Sequence, residues 1–235
     1  MFSGSPPCQG FSSSGKRELN DPRNSLFKEY ARLLNTFKPK VFVFENVGGM
    51  IKGHMKQVYL QVTKAFRECG YEVKGQLMDA CYFGVPQHRP RVIIIGVRKD
   101  LGILPSHPKP FTKLISVSKA LDGLMCEADA KPLNPTYIKY WHETKPGTPL
   151  GKFASRKKLH PHRPSFCIPK HSQSIYHWAE PRLLHTGELK RLFSFPDDFK
   201  FTSWENAANR MGNSVAPLMM RAIAEHIRDE ILSKV

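Results

Sequence analysis

The sequence lacks the patterns that identify several common classes of protein. None of its apolar runs approaches the roughly 20 residues that a membrane-spanning helix needs. The first residues, Met-Phe-Ser-Gly-Ser-Pro-Pro, show neither the basic region nor the apolar region of a signal peptide. Neither Gly-x-Gly-x-x-Gly nor Gly-Lys-Ser/Thr occurs, so the sequence predicts no phosphate-binding glycine loop. We therefore expect a soluble protein that does not associate with a membrane.

Cysteine is scarce and irregularly placed. The five cysteines are odd in number and no two form a Cys-x-x-Cys pair, which argues against a disulfide framework and favours a reducing compartment. We expect a cytoplasmic protein, bacterial or nucleoid-associated. One group of metal-ligand types is interrupted by prolines and matches no standard zinc spacing, so we expect no metal and assign the group to a basic surface. Its members are His160, His162, Cys167 and His171.

Acidic residues are few relative to basic ones. The chain has 36 Lys and Arg against 20 Asp and Glu, a formal net charge of +16. Residues 145–191 hold ten basic residues and two acids, so half of the net charge lies in this segment. A solvated basic surface is one interpretation. A polyanionic partner is favoured, because each neutralised phosphate releases counterions. Nucleic acid is the first candidate; an anionic membrane surface ranks second and is not the partner we expect.

The apolar pattern of the first hundred residues predicts an α/β domain. Apolar residues recur at helical spacing over 25–37 and 55–69. Runs rich in β-forming residues predict strands at 41–45, 71–80 and 91–97, and the first of these is typical of a buried parallel strand that ends in an acid. Strands that alternate with helices predict a sheet covered by helices.

The pattern changes after about residue 100. Residues 101–181 contain many prolines and basic residues and show no sustained periodicity, so we interpret them as a separate, loop-rich module. Helical spacing returns at 187–193 and at 215–235.

Five short stretches carry the functional signal. Each is weak alone, but together and in this order they closely resemble the C5-cytosine methyltransferase family. The resemblance covers residues 1–99 and 181–235. The stretches are Ser-Pro-Pro-Cys-Gln-Gly-Phe-Ser at 5–12, Phe-Glu-Asn-Val at 44–47, Pro-Gln-His-Arg-Pro-Arg at 86–91, Leu-Lys-Arg-Leu-Phe-Ser-Phe-Pro-Asp-Asp-Phe at 189–199 and Met-Gly-Asn-Ser-Val-Ala-Pro at 211–217.

The resemblance implies a fold and a division into domains. The fold is a Rossmann-like methyltransferase sheet that lacks its first cofactor-binding strands, accompanied by a small mixed target-recognition domain. Residues 1–100 and 205–235 are expected to form the catalytic domain and residues 101–204 the recognition domain. The implied substrate is double-stranded DNA, and the implied methyl donor is S-adenosyl-L-methionine.

The family chemistry explains the residue types at the catalytic positions. Cytosine C5 is a weak nucleophile until a thiolate adds to C6, and the resemblance makes Cys8 that nucleophile. A free thiol is mostly protonated near neutral pH and needs electropositive surroundings, which Arg89 and Arg91 are expected to supply from one face of an extended segment. By resemblance, Glu45 contacts N3 and the exocyclic amine of cytosine, Arg91 contacts O2, and Arg89 orders the Cys8 loop.

The remaining predicted site residues surround this centre. Pro7, Asn213 and Ser214 are expected to line one side of the methyl-donor site. Small residues, hydroxyls and cations after Cys8 suit a loop that contacts phosphates and closes over a flipped base, because C5 and C6 cannot be reached in a stacked duplex. The predicted DNA-binding residues are Gln9, Ser12, Lys16, Arg17, Asn46 and Gln87.

The sequence departs from the family in one respect. The Asp/Phe-x-Gly-x-Gly loop with which the family binds its cofactor is absent, and no Gly-x-Gly occurs anywhere. We therefore expect activity to require a second polypeptide that supplies this loop. The alternative is a non-catalytic DNA-binding fragment or regulatory subunit. An RNA substrate is disfavoured because the Cys-Phe-Thr signature of tRNA-methylating relatives is missing.

Overall fold

A computed structural model describes residues 1–6, 26–125, 127–170 and 172–235. The chain forms two compact units, each made of separate stretches. The first unit consists of Met1–Met78, Pro90–Lys109 and Ala222–Val235, and the second of Asp79–Arg89 and Pro110–Arg221. The second unit therefore takes in two stretches, 79–89 and 205–221, that the sequence-based division assigns to the catalytic domain.

The described part of the first unit is built on a four-stranded sheet in the order β1-β2-β4-β3. The strands are β1 (Phe2–Gly4), β2 (Val41–Val47), β3 (Tyr71–Asp79) and β4 (Pro90–Arg98). Strand β2 is parallel to β1 and antiparallel to β4. The expected parallel strand is thus confirmed on one side only, because its other neighbour runs in the opposite direction.

Two helices cover this sheet, close to where the apolar spacing predicts them. They are α1 (Phe27–Phe37) and α2 (Lys56–Glu68). Helix α1 ends where Lys38 adopts a left-handed conformation, directly before Pro39. Helix α2 is followed by Gly70 at φ 89°, a conformation that glycine adopts without a steric penalty.

Aromatic side chains fill the space between these helices and the sheet. Tyr30 of α1 meets Phe42 and Phe44 of β2 edge to face at 5.9 and 5.4 Å, and Phe66 of α2 meets Phe42 at 5.0 Å. The Tyr30 hydroxyl donates to the carbonyl oxygen of Val43 at 3.0 Å, so its one polar group is satisfied inside the core. This core fixes β2, which carries two predicted site residues.

The second unit has short elements and a core of its own. Its helices are α3 (Val117–Leu121), α4 (Pro135–Glu143), α5 (Thr186–Phe193) and α6 (Trp204–Asn213), and its small sheet joins β5 (Pro149–Leu150), β6 (Phe153–Lys158) and β7 (Ile175–Tyr176). Two tryptophans anchor the core by donating to backbone carbonyl oxygens: Trp141 to His177 at 3.0 Å and Trp204 to Leu184 at 2.8 Å.

The last long helix, α7 (Pro217–Glu230), starts in the second unit and ends in the first. No helix among the described residues has the length and apolar character to cross a bilayer.

Short 3₁₀ turns connect several elements. These turns are Gly48–Ile51, Gly53–Met55, Ala80–Tyr82, Lys99–Leu101, Ser172–Ser174 and Leu232–Lys234.

Candidate active site

Two of the predicted catalytic residues form an ion pair in the first unit. Arg91 Nε lies 3.0 Å from Glu45 Oε1, and both side chains are largely buried. The pairing register explains the contact: Arg91 lies opposite Val47, and Glu45 is on the same face of β2 two residues earlier. The strand continues to Val47, so Glu45 lies within β2 and not at its end as the sequence suggested.

Ser5 completes this group, and sequence reasoning did not single it out. The hydroxyl of Ser5 donates to Glu45 Oε2, while Arg91 contacts the other carboxylate oxygen. The contact follows from the parallel pairing of β1 with β2, in which Gly4 lies opposite Phe44 and the next residues are therefore neighbours. The carboxylate is thus oriented from both sides. Ser5 opens the stretch 5–12 that carries the family resemblance, but only the strand pairing reveals its contact with Glu45.

Arg89 has a different environment from Arg91. Arg89 directly precedes the first residue of β4, whereas Arg91 lies within that strand. The side chain of Arg89 is 1% exposed and belongs to the second unit. The guanidinium donates to the carbonyl oxygens of Ser214 (3.0 and 2.8 Å), Gly212 (2.6 Å) and Ile168 (3.2 Å). Arg89 therefore ties the Met-Gly-Asn-Ser-Val stretch to the Ile168 segment.

Gln87 supports this arrangement of Arg89. Its side-chain amide nitrogen donates to Leu192 O at 3.2 Å, and its oxygen accepts from the Ile168 backbone and, at 3.5 Å, from Arg89. Gln87 is fully buried. These contacts hold Gln87 between Leu192, Ile168 and Arg89, and the direct contact to DNA that the sequence predicted does not agree with this burial.

The predicted cofactor residues offer few free polar groups. The Ser214 hydroxyl donates to Met211 O at 2.8 Å, and the Ser214 carbonyl oxygen is taken by Arg89. The exposed Asn213 amide donates to Asn209 at 3.2 Å. The motif forms the junction between α6 and α7. Among the described residues, this junction fits at most one edge of a site for S-adenosylmethionine.

Asn46 lies between the paired residues of β2. It is 3% exposed, and its side-chain oxygen accepts from the Val47 backbone at 2.9 Å. The remaining predicted residues, including the predicted nucleophile, lie outside the described residues. They are Pro7, Cys8, Gln9, Ser12, Lys16 and Arg17.

The basic segment 145–191 is only partly a surface. Lys158 is buried over the Trp141 ring at 3.6 Å, and burial lowers the pKa of its ammonium group. Arg182 is buried in an ion pair with Glu188 at 2.7 Å. The exposed cations of the segment are Lys145, Lys152, Arg163 and Lys170. Two of the ten basic residues thus stabilise the unit from inside.

Comparison with known proteins identifies the family of the chain. The family model for C-5 cytosine-specific DNA methylase matches residues 1–145 and 127–229, nearly the whole chain. The chain belongs to this family. The methylase is 34% identical to the type II methyltransferase M1.HphI of Haemophilus parahaemolyticus over 95% of its own length and 67% of the relative's. It is 33% identical to the type II methyltransferase M.FnuDI of Fusobacterium nucleatum, covering 98% of the chain and 77% of the relative.

Solved structures confirm the fold. A DNA modification methyltransferase encoded within a prophage of E. coli superposes with a TM-score of 0.77 at 23% identity, covering 98% of the methylase and 78% of that chain. The Dnmt2 methyltransferase of S. pombe superposes with a TM-score of 0.66 at 16% identity, covering 98% and 77%. The predicted family, the Rossmann-like α/β fold and the assignment as a methyltransferase enzyme are therefore confirmed.

Proposed function

We propose that this methylase transfers a methyl group to C5 of a flipped cytosine in double-stranded DNA through a covalent bond between Cys8 and C6. The observation that carries the proposal is the Glu45–Arg91 pair at 3.0 Å with Ser5 on the same carboxylate. Cys8 follows Ser5 by three residues, a length of chain that spans at most about 11 Å. The nucleophile is therefore tethered to the residue that touches Glu45.

Each residue of the proposed catalytic group has a defined part in the reaction. The Cys8 thiolate forms a bond to C6, and the π electrons of the C5–C6 bond move to C5, which becomes nucleophilic. The Glu45 carboxyl group, oriented by Arg91 and Ser5, binds the N3 and exocyclic amine edge of cytosine. After C5 is methylated, its proton passes to solvent and the electron pair of that C–H bond re-forms the C5–C6 double bond. The sulfur–C6 bond breaks, and its electron pair restores the thiolate.

S-adenosyl-L-methionine supplies the methyl group when bound. Asn213 and Ser214 are proposed to line one edge of its site, and a second polypeptide segment with the glycine-rich loop is proposed to provide the rest. The relatives named above are type II methyltransferases. We accordingly propose a DNA modification role in the cytoplasm.

The proposal is tested by trapping the covalent intermediate. The full chain is mixed with a polypeptide that carries the family's cofactor loop, with S-adenosylmethionine and with duplex DNA that contains 5-fluorocytosine. Fluorine at C5 cannot leave as a proton does, so the adduct accumulates. Wild type is expected to form a denaturation-resistant complex with DNA and the Cys8→Ser variant none. The matched control is Cys69→Ser, on the half-buried Cys69 that follows α2.

The role of Glu45 is tested by measuring methyl transfer to ordinary duplex DNA with the same polypeptide and S-adenosylmethionine. Glu45→Gln keeps the shape of the side chain and removes its charge, and we expect methyl transfer to fall by about a hundredfold, the range of general acid–base effects. Glu68→Gln, on an exposed glutamate of α2, is the control.

Methyl transfer that survives Cys8→Ser undiminished contradicts the mechanism.

The second candidate function is DNA binding without turnover. The exposed cations Lys145, Lys152, Arg163 and Lys170 favour it, because they suit phosphate contacts. Salt-dependent DNA binding with no adduct and no methyl transfer, even with the complementing polypeptide, would select this function.

A further inference from the structure

Three side chains outside the proposed catalytic group converge in the second unit. They are Asp79, Cys81 and His88, and one ligand-type atom from each lies within 4.8 Å of the others. His88 Nδ1 is 3.0 Å from Asp79 Oδ2 and 3.3 Å from Cys81 Sγ. Nothing in the proposed methyl-transfer chemistry uses this group, which we call the 79–88 triad.

The local fold holds the triad together. Strand β3 ends at Asp79, and the 3₁₀ turn Ala80–Tyr82 reverses the chain. Gly84 continues the turn at φ 79°, where a side chain would be strained. The Ala80 backbone N–H then donates to Arg89 O at 3.3 Å and closes the loop. The three side chains are therefore placed by a closed turn of 11 residues, 79–89.

The separations within the triad are close to those of a tetrahedral metal site. Bond lengths of about 2.3 Å to sulfur and about 2.0–2.2 Å to nitrogen and oxygen place sulfur and nitrogen about 3.6 Å apart, and nitrogen and oxygen about 3.4 Å apart. The observed distances are 3.3 and 3.0 Å. An ion would need the ligands to separate by only a few tenths of an ångström.

Backbone hydrogen bonds orient the Asp79 carboxylate with one oxygen towards His88. Its Oδ1 atom accepts from the backbone N–H of Arg89 at 2.7 Å and of Cys81 at 3.4 Å. These bonds leave Oδ2 directed to His88, in the manner of the outer contacts that fix metal ligands. Cys81 is fully buried while His88 is half-exposed, so an ion reaches the thiol from the His88 side.

The other metal-capable group in the described chain is less suitable. Its carboxylates, Glu127 and Asp129, accept from the backbone N–H groups of Gly187 and Thr186 at 3.3 Å and so cap the start of α5. That role explains their position without an ion.

We propose that Asp79, Cys81 and His88 bind one divalent cation of the zinc class, with water as the fourth ligand. Three protein ligands of the types Cys, His and Asp suit zinc and disfavour calcium or magnesium, which take oxygen ligands. The Cys81 sulfur–hydrogen bond breaks, the proton goes to solvent, and a sulfur–metal bond forms. His88 binds through Nδ1 while Nε2 carries a proton, and the Cys81 thiol is the source of the proton that binding releases.

A bound ion would change the charge within the 79–89 turn and connect its two ends. Burial and the neighbouring Asp79 raise the pKa of the Cys81 thiol to about 12, so the thiol is neutral without an ion. A bound dication balances one thiolate and one carboxylate. It would then join both ends of the 79–89 turn, on which Gln87 and Arg89 lie.

The test uses the full chain freed of metal with a chelator and titrated with Co²⁺. Tetrahedral thiolate coordination is expected to give a sulfur-to-cobalt charge-transfer band in the near ultraviolet and strong visible bands that saturate at one equivalent. Zn²⁺ is expected to abolish both. Calorimetry in two buffers of different ionisation enthalpy is expected to report one proton released per ion.

Variants decide which residues bind. Cys81→Ser is expected to lose the charge-transfer band, and His88→Asn to weaken binding at least about tenfold. Cys69→Ser and His162→Asn are matched controls and are expected to bind as wild type does. Because Cys81 is buried, the half-exposed His88 provides the variant that keeps the fold. Absence of the band in wild type, or an unchanged titration in His88→Asn, overturns the proposal and does not bear on the Cys8 mechanism.

Discussion

The guanidinium group of Arg89 donates two hydrogen bonds to the carbonyl oxygen of Ser214, at 3.0 and 2.8 Å, across 125 residues of sequence. Both residues come from motifs that identify the family. In the second unit, Arg89 is thus the connection between the Pro-Gln-His-Arg stretch and the Gly-Asn-Ser stretch. Two N–H groups on one edge of the planar guanidinium group converge on this single oxygen. An ammonium group has one nitrogen and cannot reproduce this arrangement.

The first prediction concerns this connection. Arg89→Lys keeps the charge but leaves the carbonyl oxygens of Gly212, Ser214 and Ile168 short of donors in a buried place. We expect the free energy of unfolding of the second unit to fall by at least about 2 kcal/mol. Urea unfolding monitored by tryptophan fluorescence measures it. Arg32→Lys, at an exposed position of α1, is expected to leave the stability unchanged.

The second prediction concerns Gly212, near the end of α6. Helix propensity alone favours alanine there by about 1 kcal/mol. A Cβ atom at Gly212 would, however, lie 2.2 Å from the Lys170 Cα and 2.7 Å from the Pro169 carbonyl carbon. Backbone atoms cannot rotate away, so Gly212→Ala is expected to destabilise the protein by 3 kcal/mol or more, about the upper range of overpacking. Thermal unfolding checks the sign.

Asn209→Ala is the control for Gly212→Ala, because Asn209 is exposed on the same helix. It is expected to leave stability unchanged or to raise it slightly. A Gly212→Ala protein as stable as wild type would show that the close approach to the Lys170 segment is not tight in solution.

The third prediction concerns Ser5, whose hydroxyl donates to Glu45. Ser5→Ala removes one bond to the carboxylate and leaves Arg91 in place. We expect methyl transfer by the complemented enzyme to fall about tenfold, since a hydrogen bond to a charged group contributes about 1.5 kcal/mol or more. Stability is expected to change little, because Ser5 is exposed. Ser3→Ala, two residues earlier, is the control, and equal losses in both variants would contradict the orienting role of Ser5.

The fourth prediction concerns pH. His107 is buried, and its Nε2 donates to Ile93 O at 2.9 Å. Burial lowers the pKa of His107 from 6.5 to about 4. The unfolded chain therefore binds the proton more readily than the folded one, and stability is full above pH 6.5 and falls as the pH drops towards 4. The loss is expected to reach roughly 3 kcal/mol near the lower limit.

Denaturant unfolding at neutral pH and at about pH 5 measures this loss within the range where histidine titrates. Burial and the positive charge of Arg182 also lower the pKa of His177 to about 4, so both units are expected to weaken in acid. His107→Gln is expected to flatten the dependence, whereas His142→Gln, at an exposed position, is not. A stability that does not change between these pH values would contradict the buried neutral state.

Local pattern predicted the two helices that cover the sheet of the first unit and three of its four described strands to within a few residues, but it did not predict β1. The spacing over 55–69 gave α2, and the run at 41–45 gave β2, because each element buries one repeating face. The pattern over 101–181 did not predict α4 or the small sheet. Those elements are short, and their stability comes from contacts such as Trp141 to His177, which periodicity does not record.

The sequence by itself determined the family and the types of chemical group, because the motifs are short and their residue identities are direct. Only the tertiary structure decided which of these groups meet. It pairs Glu45 with Arg91 and adds Ser5, buries Arg89 among carbonyl oxygens, and brings Asp79 together with His88. The physical reason is that these contacts depend on strand register and on turns between distant segments. Such contacts leave no periodic trace in the residues that make them.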